Sequence, residues 1–130
     1  MIKMDKKADT GLTVQEMMEY QLRLQEKYAG VWEGDNPGTA KHHLLYAVEE
    51  IGEVSAILKK RGALEVTRDA ALRAHLCEEM ADVFMYLNDV LLCCGVTAEE
   101  FASAYHEKME RNLQRDFPKE HQAYLKSEGN

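Results

Sequence analysis

Two pairs of acidic residues interrupt the most apolar stretches of this chain: Glu50 and Glu53 within residues 44–58, Glu79 and Asp82 within residues 76–94. Both pairs have i,i+3 spacing, which on a helix puts the two carboxylates of a pair on one side. An acid that is not fully solvated needs a partner, and no lysine or arginine stands on the same stripe to provide one. Two such acid stripes on antiparallel neighbouring helices could face each other across a groove. A hard divalent cation such as Mg²⁺, or Mn²⁺, would satisfy all four. The di-iron alternative requires Glu-x-x-His, and none of His42, His43, His75, His106 or His121 stands three residues after a glutamate.

The local signals are helical throughout. Thr13 followed by Glu16 is a capping box opening a first helix, which runs to Ala29-Gly30. Residues 30–38 hold three glycines, Asn36 and Pro37 and read as a loop. Thr39 is the expected cap of a second helix ending in Arg61-Gly62. A third helix is expected from Thr67 or Asp69 to Gly95, with a break near residues 73–75. Thr97 and Glu100 form another capping box, and the helix they open should end before Pro118. There is no β alternation and no internal repeat. The spacing predicts an all-α antiparallel four-helix bundle in a single domain, with a core at about residues 12–117 and tails at 1–11 and 118–130.

On a helical wheel at about 100° per residue, Leu44, Ala47, Val48, Ile51, Val54 and Leu58 form a broad face expected as core. Tyr46, Glu50, Glu53 and Ile57 form a narrower stripe opposite it. In the third helix Leu76, Met80, Val83, Leu87, Val90 and Cys94 make the expected core face, bordered by Glu79, Asp82, Tyr86 and Cys93. Leu45, Ile57, Phe84, Met85 and Leu92 are additional apolar residues on these helices, more than a 130-residue bundle buries. A homodimer or dimer of dimers is the expected remedy.

The net charge of −7 argues against nucleic acid or an anionic membrane as the partner. Residues 1–11 lack an apolar signal core and no run reaches membrane-spanning length, so a cytoplasmic protein is expected. Cys77, Cys93 and Cys94 make neither a CxxC pair nor a Cys/His ligand spacing and read as reduced, small apolar residues. His42 and His43 read as exposed or capping residues. Lys108, Asn112 and Arg115 stand at i, i+4 and i+7, so two cations and an amide on one helical face could bind phosphate oxygens; a solvated basic helix end is the plainer account. Trp32, the single tryptophan, is either a stacking platform for a nucleobase or an apolar anchor of its loop.

At these residues the chain resembles the MazG-like all-α nucleoside triphosphate pyrophosphohydrolases. The similarity rests on Glu49-Glu50-Ile51-Gly52-Glu53, then Glu79-Met80-Ala81-Asp82 after a gap of 25 residues, then Lys108-Met109 with Asn112 and Arg115, and it covers about residues 41–118. Asp116 departs from the pattern, where an aromatic often stands. The resemblance implies Mg²⁺-dependent cleavage of a nucleoside triphosphate between its α and β phosphates, giving a nucleoside monophosphate and pyrophosphate, a house-cleaning activity on nucleotide pools. It implies Glu50, Glu53, Glu79 and Asp82 as metal ligands and Lys108, Asn112 and Arg115 on the phosphate side. Glu50 or Glu53 is the expected catalytic base. The alternatives are a phosphoribosyl-nucleotide pyrophosphohydrolase and a non-catalytic helical module that retains a metal site.

Overall fold

A computed structural model describes residues 11–129; all but the last residue of the expected 1–11 tail lie outside them. The described residues form six α-helices and no strand: α1 (Val14–Lys27), α2 (Ala40–Arg61), α3 (Ala63–Arg68), α4 (Ala70–Cys93), α5 (Ala98–Gln114) and α6 (Phe117–Glu128), with a 3₁₀ turn at Pro37–Thr39. The all-α class is as the sequence implies. The chain divides into two compact units, a first through Ala98 and a second from Glu99.

The first unit is built on α2 against α4. His43 faces Asp89, Tyr46 faces Tyr86 and Glu50 faces Asp82, so residue numbers fall along one helix as they rise along the other and the pair is antiparallel. α1 and α3 pack on α4. Thr13 caps α1 as expected: its hydroxyl accepts from the Glu16 N–H at 3.1 Å, and the Glu16 carboxylate accepts from the Thr13 N–H at 3.1 Å. Gly62, at φ 79° and ψ 152°, ends α2 in an essentially glycine-only conformation that costs a residue with a Cβ about 1–3 kcal/mol. The third helical stretch runs unbroken through residues 73–75; the break falls at Asp69, whose side chain accepts from the Leu72 N–H and caps α4. Thr39 does not cap α2 with its side chain. Its hydroxyl donates to the Gly34 carbonyl at 2.6 Å and accepts from the Asn36 N–H at 3.2 Å, so it fastens the loop instead.

The helical faces differ from the wheel reading. Ala47, fully buried, and Ile57, at 8% exposed, face inward, whereas Leu44, Val48, Ile51 and Leu58 are 41–55% exposed. Apart from Ala47, buried as expected, and half-buried Val54, the face expected as core is thus an uncovered strip, because α2 turns its acid-bearing side, not its broadest apolar side, toward α4. On α4, Val83 is buried as expected, Met80 and Leu87 are exposed, and Asn88, Asp89 and Cys93 are buried. Leu45, Phe84 and Met85 are exposed, while Leu92 is half-buried.

In the second unit α5 carries Tyr105, Met109 and Leu113, all exposed. The segment 118–130, expected as a tail, is helical through Glu128: Pro118 sits in the first turn of α6, where its missing N–H costs nothing, and Asp116 caps that helix by accepting from the Lys119 N–H. No single helix among the described residues is long and apolar enough to cross a membrane.

The close α2–α4 approach depends on the absence of a side chain beyond Cβ at Ala47. Ala47→Leu should destabilise the protein by about 1–3 kcal/mol through overpacking, measured by urea unfolding. An unchanged midpoint would show a gap at that crossing.

Candidate active site

Because α2 and α4 run antiparallel, the acid pairs meet one turn apart. Carboxylate oxygens of Glu50, Glu79 and Asp82 all lie within 4.8 Å of one another, and all three side chains are half-buried. Glu53, the fourth expected ligand, is exposed and outside this group, although its charge still reaches Glu50. Gly52 between them is helical with open space where a Cβ would stand, so nothing in this chain presses on it.

The electrostatics are those of acids without a counter-ion. Burial raises the Glu50 carboxyl above its ordinary range, and the contact with Glu79 and the charges of Asp82, Glu79 and Glu53 add to the rise. Burial likewise raises Asp82, followed by the charges of Glu79 and Glu78. No lysine or arginine is among the causes acting on either. The nearest basic side chain paired with the group is His75, whose Nδ1 is 3.9 Å from Glu79. Three hard oxygens drawn together against their own repulsion suit a hard divalent cation.

Asp82 also lines a cavity of about 470 Å³, together with Trp32, His43, Tyr46, Tyr86 and Asp89. At one wall the Trp32 ring stacks on Tyr28 with centroids 4.3 Å apart and planes 18° from parallel. Trp32 is nevertheless 46% exposed, so it is backed on one face and open elsewhere. Tyr46 and Tyr86 meet at 5.5 Å across α2 and α4. Burial and the neighbouring acids, Glu50 foremost, raise the Tyr86 phenol and keep it neutral.

Behind the cavity lies a buried polar group that the sequence reading missed. His43 is buried, not exposed or capping: its Nε2 is 3.1 Å from Asp35 Oδ1 and its Nδ1 is 3.6 Å from Asp89 Oδ2. The Gln21 amide donates to both Asp89 oxygens, at 3.0 and 3.1 Å. The available signal was Asn88-Asp89, two polar residues inside the apolar run of α4, and Gln21 on the inner face of α1.

Lys108, Asn112 and Arg115 lie on the second unit. Lys108 is exposed, and Asn112 is half-buried with its Oδ1 fully buried and without a hydrogen-bond partner. The Arg115 N–H continues the helical pattern by donating to the Arg111 carbonyl at 3.1 Å, but its side chain is engaged elsewhere. Arg115 stands just past α5, gives Nε and Nη2 hydrogen bonds to Glu120 and lies 4.3 Å over the Phe117 ring.

The model of the dATP/dGTP pyrophosphohydrolases matches residues 39–128. The chain belongs to that family. It is therefore a hydrolase acting on acid anhydrides, of the MazG-like kind that its acid blocks resemble, and the non-catalytic alternative falls away. No curated protein and no solved structure matches the chain. The matched residues hold all four acids; Gln21, Trp32 and Asp35 lie before them.

Glu50, Asp82 and Asp35 are all raised, Asp35 to about 7 by burial and then by Asp89. A carboxyl raised by folding holds more protons in the folded than in the unfolded chain, so its effect on stability is most favourable below the unfolded value near about 4 and is lost as pH rises through the folded value. In chelator, the melting temperature should fall by several degrees between pH about 5 and pH about 8. Glu50→Gln combined with Asp35→Asn should flatten that slope, as followed by circular dichroism; an unchanged slope would place its origin elsewhere.

Proposed function

We propose that the chain is a divalent-cation-dependent nucleoside triphosphate pyrophosphohydrolase that cleaves between the α and β phosphates, giving a nucleoside monophosphate and pyrophosphate. The observation that carries this reading is the Glu50–Glu79–Asp82 group at the edge of the Trp32 cavity, joined to it through Asp82. Purine deoxynucleoside triphosphates are the proposed substrates, after the activity for which the matching family is described.

The acids divide the work. Glu50, Glu79 and Asp82 would hold Mg²⁺ or Mn²⁺, which supplies charge neutralisation at the phosphates and a more acidic bound water. Glu53, one turn along α2 and outside the three-acid group, takes a proton from the attacking water; Glu50 is the other candidate base. The water oxygen bonds to the α phosphorus, the bond from that phosphorus to the bridging oxygen breaks, and pyrophosphate leaves with the electron pair. Trp32 offers a stacking face to the base. On the second unit, Lys108, Asn112 and Arg115 are of the types that bind phosphate oxygens, the Arg115 guanidinium being held by Glu120. Neither a lysine point charge nor an arginine fork needs to touch the metal ligands for this.

The uncovered apolar strip of Leu44, Val48, Ile51 and Leu58 supports a homodimer or dimer of dimers closed on α2. The exposed Tyr105, Met109 and Leu113 support a second copy on the second unit as well. Light scattering at micromolar concentration should give a mass at least twice that of the chain. A stable monomer would refute the assembly and leave the chemistry to be judged separately.

Pyrophosphate release from dATP and dGTP with Mg²⁺ tests the activity. Glu50→Gln, Glu79→Gln and Asp82→Asn should each lower kcat by at least about 100-fold, the low end for loss of an acid–base or metal-holding group. Trp32→Ala should spare kcat and raise KM about 10- to 100-fold, the equivalent of about 1–3 kcal/mol of stacking. Cleavage at the β–γ bond, or full activity in the Asp82 variant, would overturn the reading.

A further inference from the structure

The polar group behind the cavity has a composition that the anhydride chemistry does not use. Asp35, His43 and Cys93 each offer a donor atom, all within 4.8 Å of one another. They come from three places: the loop before α2, the first turns of α2, and the last residue of α4. His43 is 5% exposed and Cys93 2% exposed. The Asp35 side chain is 6% exposed.

These donors are poorly served by one another. Asp35 Oδ1 is within ion-pair reach of His43 Nε2, at 3.1 Å. The approach lies off the hydrogen-bond direction, so both ring nitrogens of His43 are fully buried without a hydrogen-bond partner. Asp35 Oδ2 is likewise buried without a hydrogen-bond donor, and the main neighbour acting on this carboxyl is a second acid, Asp89. The Cys93 thiol donates a weak hydrogen bond to Asp35 Oδ1 at 3.8 Å and lies 3.5 Å from the Thr39 hydroxyl, so of the three donors it is the best partnered. Buried polar atoms left unpaired are costly, and a folded chain keeps such a group when something joins it.

We propose that Asp35, His43 and Cys93 form a binding site for a borderline transition-metal ion, Zn²⁺, separate from the hard-cation site of the three acids. The mixed oxygen, nitrogen and sulfur donor set selects this class of ion, because a thiolate and an imidazole suit Zn²⁺ and not Mg²⁺. The spacing agrees: the edges of a tetrahedral zinc site, from bonds of about 2.0–2.3 Å, are about 3.3–3.6 Å, against the 3.1 and 3.8 Å found here. The surroundings agree as well. The Nδ1 side of His43 faces Asp89, 3.6 Å away, and Gln21 holds that carboxylate through two hydrogen bonds. A carboxylate behind a ligating histidine fixes the ring and its tautomer. On binding, Cys93 gives up its thiol proton to solvent and becomes the thiolate ligand. The ion would tie the Trp32-bearing loop to α2 and α4, so its role is to hold the cavity wall.

Cobalt substitution tests this on the full chain. Protein stripped with chelator and kept in millimolar Mg²⁺ is titrated with Co²⁺, and a near-ultraviolet thiolate-to-cobalt band should rise to one equivalent. Zn²⁺ should abolish it. Cys93→Ser should remove the band, whereas Cys77→Ser and Cys94→Ser, at exposed thiols, should keep it. Asp89→Asn should weaken Zn²⁺ binding by about 10- to 100-fold in competition with a chromogenic chelator. Glu50→Gln should leave it unchanged, which separates this site from the acid group. Helical circular dichroism is recorded for each variant. Should Cys93→Ser misfold, the wild-type titration decides alone, since a thiolate band reports the sulfur directly. A Co²⁺ spectrum without that band, or Zn²⁺ affinity equal in the wild type and a folded Asp35→Asn variant, would overturn the proposal.

Discussion

The antiparallel pairing of α2 with α4 sets the position of every chemical group in the first unit. Along it, three kinds of contact follow in order: a histidine between aspartates, a pair of tyrosine rings, and three carboxylates. The close passage at Ala47, which is fully buried, allows all three. A helix pair normally gains from burying its widest apolar faces. Here those faces look outward and the polar ones are drawn in, which is what the proposed cation between the acids and the proposed second copy would offset.

The burial pattern and the acid geometry are two results of the same rotation of α2. Turning the helix to hide Leu44, Val48, Ile51 and Leu58 would move Glu50 away from Asp82. The protein keeps the acids, and about half of each of those apolar side chains stays in water. Exposed strips of this kind are where soluble proteins meet other surfaces, which is why assembly and catalysis belong to one account of this fold.

The sequence showed the helices and three of the four acids well because both signals are local. Caps, glycine stops and i,i+3 spacings depend on neighbours within a turn, and Thr13, Gly62 and the Glu79–Asp82 pair behave accordingly. Which face of a helix points inward is not local. The wheel chose the largest apolar face of α2, and the polar contacts from α4 overrode it. The group of Asp35, His43 and Cys93 was invisible for the same reason: its members are 8 and 50 residues apart in the chain, with no ligand spacing between them. His43 looked like an exposed residue near a helix start because its partners, Asp35 and Asp89, come from a loop and from the far helix. Arg115 looked helical by spacing, and its N–H keeps the helical bond to Arg111, but Glu120 on the next helix claims the guanidinium.

The loop between α1 and α2 is fastened at both ends by its own groups: Trp32 on Tyr28, and Thr39 on Gly34 and Asn36. It supplies one wall of the cavity, while the acids stand on the two long helices. In the proposed reaction, recognition and bond-breaking are thus carried by separable lengths of chain. A change of length or sequence within residues 30–38 would reshape the ligand-holding wall and leave the three carboxylates where they are. Divergence toward new substrates has an inexpensive route in such a protein, since the part that must vary is a short loop whose rebuilding leaves the catalytic helices intact.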